Sequence, residues 1–296
     1  MTDFRPGRFQ ILPTVVKNLI IINSLIAFAQ FVVGRFGIDM ADYFGLHYWR
    51  SHYFKPWQFL THMFMHGSYN DLNLTIMHLF SNMFALWMFG SILENVWGSK
   101  RFLIFYLVCG LGAAMLHMGV VAYEFHAIEQ AFIQYQQNPT LDQFDLFIKQ
   151  HVQLSSGNPL SLQLNGVREA WMNTPSFNYA GESVTAINQY LNGFYYVQAQ
   201  QYIPGIYDEA TVGASGAVFG ILFAFGYLFP NTLLYIYFLV PIKAKYVVGA
   251  YALFELYTGI RNSAGDNVAH FAHLGGMLVA FILLKIWNRT NRKHFY

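Results

Sequence analysis

The chain has 296 residues, of which 55% are hydrophobic, 19% aromatic and only 11% charged. Soluble domains average about 25% charged residues, so this composition excludes an ordinary soluble protein and indicates a membrane protein. The formal net charge of +2 is small, and no basic tract or nucleic-acid motif accompanies it, so no nucleic-acid partner is expected. The single cysteine, Cys109, excludes an internal disulfide and a zinc site built from several cysteines.

Apolar segments of membrane length recur along the chain. A spanning helix needs about 20 mostly apolar residues, and six segments approach this length, the fifth being the shortest. They are 15–33, 74–93, 102–123, 212–229, 244–260 and 268–287. The first follows basic residues and could imitate a signal peptide, but it is near full membrane length and no cleavage site follows it. The sequence therefore predicts an all-α membrane protein with six transmembrane helices.

The lysine and arginine residues predict the orientation of these helices. With the N-terminus inside, the inner segments hold 11 of these residues and the outer segments hold 6. Because cytoplasmic segments carry the excess of positive charge, both termini are expected in the cytoplasm.

The sequence predicts that the chain divides into a membrane domain and an insert. Residues 1–123 and 210–296 are assigned to one transmembrane domain. Residues 124–209 are predicted to form an extracytoplasmic insert of unknown role between the third and fourth helices. The insert contains helical patterns near 125–137 and 142–152 and no recognisable chemical motif. The stretch 232–240 is too short to span a membrane and is expected at the interface or in a groove.

A serine and a histidine lie in predicted spans, where polar residues are costly and are therefore candidates for function. Ser215 begins the fourth helix between Gly213 and Gly216, and His273 lies on the sixth. The free N–H groups of a first helical turn suit an oxyanion on a carbonyl that Ser215 attacks. If the glycines, including Gly276, allow the two helices to touch, His273 reaches Ser215 as a base.

Two further polar residues lie on the second predicted helix. His78 and Asn82 are four residues apart and share one helix face. Both side chains are suitable donors to an oxyanion. They could instead join two helices through hydrogen bonds.

Structural and metal-binding interpretations are also open. Gly216 with Gly220 forms a general helix-packing motif, and Ser215 could simply cap its helix. His270 with His273, and His62 with His66, have spacings found in metal ligands. However, the HExxH pattern is absent and no partner carboxylate lies at an obvious spacing. Neither a metal nor a cofactor is therefore expected, and the polar residues taken together favour hydrolysis.

These motifs together resemble the rhomboid family of intramembrane serine proteases. Ser215 matches the nucleophile of the family's Gly-x-Ser-Gly motif, and His273 matches the histidine of Ala-His-x-x-Gly, which here ends at Gly276. His78 and Asn82 match the His-x-x-x-Asn pair of the second helix, which implies oxyanion stabilisation. The stretch 61–66 and the residues Glu94 and 98–99 resemble the two ends of that helix.

The resemblance implies a six-helix rhomboid-like bundle with the activity of an intramembrane serine endopeptidase. Its expected substrates are membrane-anchored proteins, cut in or near their transmembrane segments, and its expected location is the inner membrane of a bacterial cell. The lipid bilayer and these transmembrane substrates are the expected partners. The resemblance implies a Ser–His dyad with no third member, and the buried Glu255 of the fifth helix is given a structural role.

Two departures from the family and two alternative functions accompany this interpretation. Gln58 follows Trp57 where the family often has arginine. Phe219 replaces the tyrosine against which the family's histidine packs.

The alternative functions are an inactive rhomboid-like protein that binds membrane helices in quality control, and a small-solute transporter.

Overall fold

A computed structural model describes residues 9–67, 71–152, 159–196, 201–236, 240–261 and 269–290. The contacts divide the chain into two compact units. The membrane unit comprises Met1–Leu46, Pro56–His117 and Thr211–Tyr296, and the insert unit comprises His47–Lys55 and Met118–Ala210. Helices dominate the described residues, and the prediction of an all-α fold is confirmed.

The structure describes six helices in the first half of the chain. They are α1 (Thr14–Gly34), α2 (Met40–Phe44), α3 (Gln58–Thr61), α4 (Leu72–Ala85), α5 (Ser91–Trp97) and α6 (Ser99–Gln137). A 3-10 turn follows α3 over His62–Phe64, and a π-helical turn over Leu86–Gly90 joins α4 to α5.

In the part of the second half that the structure describes, six more helices and two pairs of strands follow. The insert unit contains α7 (Leu141–His151), α8 (Pro159–Asn173), α9 (Ala180–Asn192) and the antiparallel strands β1 (Phe194–Tyr196) and β2 (Gln201–Ile203). The membrane unit continues with α10 (Ser215–Leu228), the antiparallel strands β3 (Leu233–Ile236) and β4 (Val240–Lys243), α11 (Ala244–Arg261) and α12 (His270–Thr290).

Among the described residues, four helical stretches are long and apolar enough to cross a membrane. They are Thr14–Gly34, Leu72–Trp97, Ser99–Gln137 and His270–Trp287, and Ser215–Leu228 is a shorter apolar helix. The shortest predicted span corresponds to α11. The predicted start of the sixth, Val268, lies outside the described residues.

One prediction about helix boundaries is wrong. The third span and the first helical pattern of the insert were expected to be separate, but α6 is one helix of 39 residues. The continuous apolar run ends near Tyr123, yet no proline or glycine interrupts the mixed polar and apolar sequence between Tyr123 and Gln137. A helix continues through such a sequence because polar residues with good helical propensity do not break it.

The centre of the membrane unit is α10. Ten of its 14 residues are buried, as expected for a helix that is apolar on every side. It packs against α12 and α11, and Phe225 also contacts the ring of Phe89 from the π-helical turn. Ser215 therefore begins a helix that neighbouring helices surround.

Glu94 of α5 holds the start of α1. Its carboxylate accepts the backbone N–H groups of Val15 at 2.9 Å and Val16 at 2.8 Å, and the hydroxyl of Ser99 donates to it at 2.6 Å. The first turn of α1 has no side-chain cap of its own. Glu94 supplies that cap from another helix and so fixes α1 within the unit.

Candidate active site

The backbone before α10 places a histidine beside Ser215. Gly213 has φ +127°, and its N–H donates to the carbonyl of His62 at 2.9 Å. A Cβ at Gly213 would lie 2.7 Å from Cε1 of His78 and 3.6 Å from Oγ of Ser215. Only glycine suits this conformation and this space, and its small size lets the His78 ring approach the serine.

The helices α10 and α12 touch through their glycines. A Cβ at Gly276 would lie 1.9 Å from the carbonyl oxygen of Gly216, and one at Gly220 would lie 3.1 Å from the carbonyl oxygen of Gly276. Small residues allow such close approach of helix backbones in membranes. A Cβ at Gly216 would also lie 3.5 Å from the carbonyl oxygen of Ala272, so the residues next to Ser215 and His273 lie close together.

The His273 ring lies flat against Phe219. Their centroids are 4.0 Å apart and their planes differ by 4°. Phe219 follows Ser215 by four residues and so shares its face of α10. The imidazole therefore lies against the helix face that carries Ser215.

Glu255 of α11 lies beside both histidines of α12. Its Oε2 is 2.9 Å from Nδ1 of His273 and 2.6 Å from Nδ1 of His270. The hydroxyl of Thr258 is also 3.1 Å from Nδ1 of His270. The Glu255 side chain thus contacts the candidate base directly, which goes beyond the structural role expected from the sequence.

No local spacing could have found this carboxylate. Glu255 precedes His270 by 15 residues and belongs to a different helix. The only signal in the sequence was a glutamate in an apolar segment, since such a residue is costly in a membrane and needs a partner.

Asn82 and His78 lie on the same face of α4, and the His78 ring lies close to the start of α10. Asn82 is buried, and its Nδ2 donates to the carbonyl of His78 at 2.9 Å. A side-chain amide has two hydrogens, so one remains for another acceptor. The two residues are therefore near each other, and the His78 ring is the one placed beside Ser215.

The chain preceding α4 is held by α1. Gln30 accepts the N–H of His66 at 3.0 Å and donates to the carbonyl of Gly67 at 3.1 Å. The ring of His66 then packs edge-on against His78, with centroids 5.3 Å apart. Gln30 thus positions His78 through His66, and the sequence analysis did not identify it.

A small cavity of about 20 Å³ lies next to Ser215. Its polar lining comes from His62, His117, Thr211 and Ser215. His117 Nε2 is 2.9 Å from the hydroxyl of Thr211, while its buried Nδ1 has no hydrogen-bond partner among the described residues. A polar cavity of this volume accommodates about one water molecule.

Comparison with known families gives a match over most of the chain. A family model described as Rhomboid domain matches residues 53–127 and 161–289, which is more than half of the chain. The match contains Ser215, His273, His78 and Asn82, and residues 128–160 of the insert lie outside it. The search of curated proteins found no match.

Proposed function

The chain belongs to the rhomboid family, and from the geometry of its site we propose that it is an intramembrane serine endopeptidase. Its substrates are membrane-anchored proteins, cut in or near their transmembrane segments. The observation that carries the proposal is the stacking of His273 on Phe219, one turn from Ser215. The glycine contacts between α10 and α12 support it, because they bring the nucleophile and the base onto neighbouring helices.

Ser215 is the nucleophile of the proposed reaction. Its Oγ attacks the substrate carbonyl while Nε2 of His273 takes its proton, and the imidazolium then gives that proton to the leaving amine. Water hydrolyses the resulting acyl-enzyme by the same route in reverse. The cavity beside Ser215 has the volume and polar lining to hold that water.

Glu255 positions the base. With Nδ1–H of His273 donating to Oε2 of Glu255, the ring keeps its lone pair on Nε2, where the serine proton must arrive. The carboxylate also stabilises the imidazolium that forms during the attack.

The oxyanion forms at the start of α10. The free N–H groups of its first turn, the ring of His78 and the amide of Asn82 are the proposed donors. His78 lies beside the Gly213 backbone that leads into Ser215, which supports this assignment.

The chemistry of the bilayer accounts for the expected cleavage sites. A transmembrane helix satisfies its own carbonyl groups by internal hydrogen bonds, so a scissile bond must leave the helix before Ser215 can attack it. Segments with small or helix-destabilising residues are therefore the expected targets. The proposed location is a bacterial inner membrane with both termini in the cytoplasm, supported by the 11 to 6 distribution of basic residues.

Covalent labelling of purified protein in liposomes tests the nucleophile. A fluorophosphonate is expected to label the wild-type chain, and labelling should be lost in Ser215→Ala. Ser24→Ala removes an exposed serine on α1 and should keep the label. A wild-type chain that neither labels nor cleaves a model transmembrane substrate would instead indicate the inactive, helix-binding alternative.

A further inference from the structure

We propose that Glu255, His270 and His273 form a binding site for a divalent transition-metal ion such as Zn²⁺, and that the bound ion inhibits the protease. The inhibitory part rests on the proposed function, since it requires His273 to be the base. The binding part rests only on the arrangement of the three side chains.

The three side chains offer the ligand atoms of a zinc site. One ring nitrogen of His270, one ring nitrogen of His273 and a carboxylate oxygen of Glu255 all lie within 4.8 Å of one another. Two imidazoles and one carboxylate, with a fourth position open, are a common ligand set for Zn²⁺.

The distances are close to those that a bound ion needs. Zinc takes nitrogen and oxygen ligands at about 2.0–2.2 Å, which places tetrahedral ligand atoms about 3.4 Å apart. The two Nδ1 atoms lie 2.6 and 2.9 Å from Oε2 of Glu255. Each of these two nitrogen–oxygen separations must therefore widen by less than about 1 Å, which small rotations of the Glu255 side chain and the two rings can supply.

The local charge favours a cation. Glu255 is only 3% exposed, and both histidines are 8% exposed. Among the described residues, the ion-pair partners of Glu255 are these two histidines, and no lysine or arginine pairs with it. A buried carboxylate with two neutral imidazoles retains a charge of −1, which is costly in a low-dielectric surrounding. A divalent cation offsets that charge while using the same three atoms.

The ion would remove the base that Ser215 needs. Coordination uses the lone pair on Nδ1 of His273, so the single proton of the neutral ring moves from Nδ1 to Nε2. Nε2 then has no lone pair for the serine proton, and the attack on the substrate cannot begin. The ligands contribute lone pairs only, so removal of the ion restores the original proton arrangement and activity.

Metal binding can be measured without proteolysis. The full chain with Ser215→Ala, purified in detergent and freed of metal, is titrated with Co²⁺ and followed by its visible absorption. We expect the protein to bind one equivalent of Co²⁺ with tetrahedral geometry, and we expect Zn²⁺ to displace it. Glu255→Gln and His270→Gln should each weaken Co²⁺ binding at least about ten-fold. His126→Gln, which changes an exposed histidine of α6, should bind Co²⁺ as the parent does.

Inhibition is then measured in the active chain. Each protein's cleavage of a transmembrane substrate is compared with and without buffered Zn²⁺. Wild-type cleavage should fall at least about ten-fold at Zn²⁺ levels that displace Co²⁺ and should recover with EDTA, whereas His270→Gln should need at least about ten-fold more Zn²⁺.

The outcomes separate this inference from the proposed function. An active chain that binds no tetrahedral Co²⁺ overturns the metal site and leaves the protease assignment intact. Equal Zn²⁺ sensitivity of wild type and His270→Gln would mean that Zn²⁺ inhibits at another site, and this result also overturns the proposed metal site. A metal-free chain that binds one Co²⁺ but never cleaves supports the site and overturns the protease assignment.

Discussion

Helix α1 of the membrane unit buries amide side chains beside apolar ones, whereas the interior of the insert unit is mostly apolar. In α1 of the membrane unit, Asn23 and Gln30 are buried while Leu25 and Phe28 are more than 60% exposed. In the insert unit the interior is mostly aromatic and aliphatic, with Phe144 fully buried. Lipid is as apolar as a leucine side chain, so apolar burial does not separate inside from outside in a membrane. Polar residues instead distinguish the interior of the unit from its lipid-facing surface, and each of them therefore indicates a packing contact or a function.

The largest expected effect tests whether a buried polar residue of the membrane unit is functional or structural. His273→Ala should reduce cleavage of a model transmembrane substrate by at least about 10³-fold, because a serine has no other base to activate it. The measurement is single-turnover cleavage in liposomes. Wild-type-like thermal stability of the variant would assign the loss to chemistry. Near-full cleavage would remove His273 from the base role.

The oxyanion assignment predicts the next effect. Asn82→Ala removes an amide that already bonds within its own helix, so a purely structural Asn82 would alter stability and leave the rate of the folded protein unchanged. If Asn82 serves the oxyanion, kcat should fall about 10²-fold or more, the cost of one donor elsewhere. Unchanged kcat at equal stability would remove it from the site.

A matched pair of glycines compares the two units directly. Gly276→Ala would place a Cβ against the carbonyl of Gly216, and neither backbone can move away without separating α10 from α12. A displacement near 1 Å at the site is expected to lower cleavage about 10²-fold. Gly181→Ala in α9 of the insert unit meets nothing within 4 Å and should leave stability unchanged or raise it by up to about 1 kcal/mol. Equal effects of the two substitutions would contradict the close helix contact.

The insert unit has a polar centre of its own at Asp208. Its carboxylate accepts the hydroxyls of Ser51 and Tyr202, at 2.6 and 2.7 Å, and the N–H groups of His52 and Gly205. Asp208→Ala should cost the insert unit about 3 kcal/mol, because it leaves these donors unpaired. The expected readout is faster trypsin cleavage within residues 118–210. Asp142→Ala, at the first turn of α7, is the control and should change proteolysis little.

The same contrast explains how far the sequence could predict the structure. Six apolar segments with isolated polar residues at Ser215 and His273 pointed to the helices and the site candidates, because polarity is rare there. The continuation of α6 to Gln137 was missed, since hydrophobicity marks where a membrane span ends and not where a helix ends. The contact of Glu255 with His273 was missed because it joins two helices that no periodic pattern connects. In the insert unit polar residues are common, and the role of Asp208 had no distinguishing signal.

The smallest effect concerns the aromatic face beneath the base. Phe219→Leu keeps an apolar side chain but removes the ring that stacks on His273 at 4.0 Å. Aromatic pairs contribute about 0.5–1.5 kcal/mol beyond their buried area, so kcat/KM should fall up to about ten-fold. Phe219→Tyr keeps the ring and should remain within about two-fold of wild type on the same grounds. A large loss of kcat/KM in both variants would mean that Phe219 does more than orient the His273 ring.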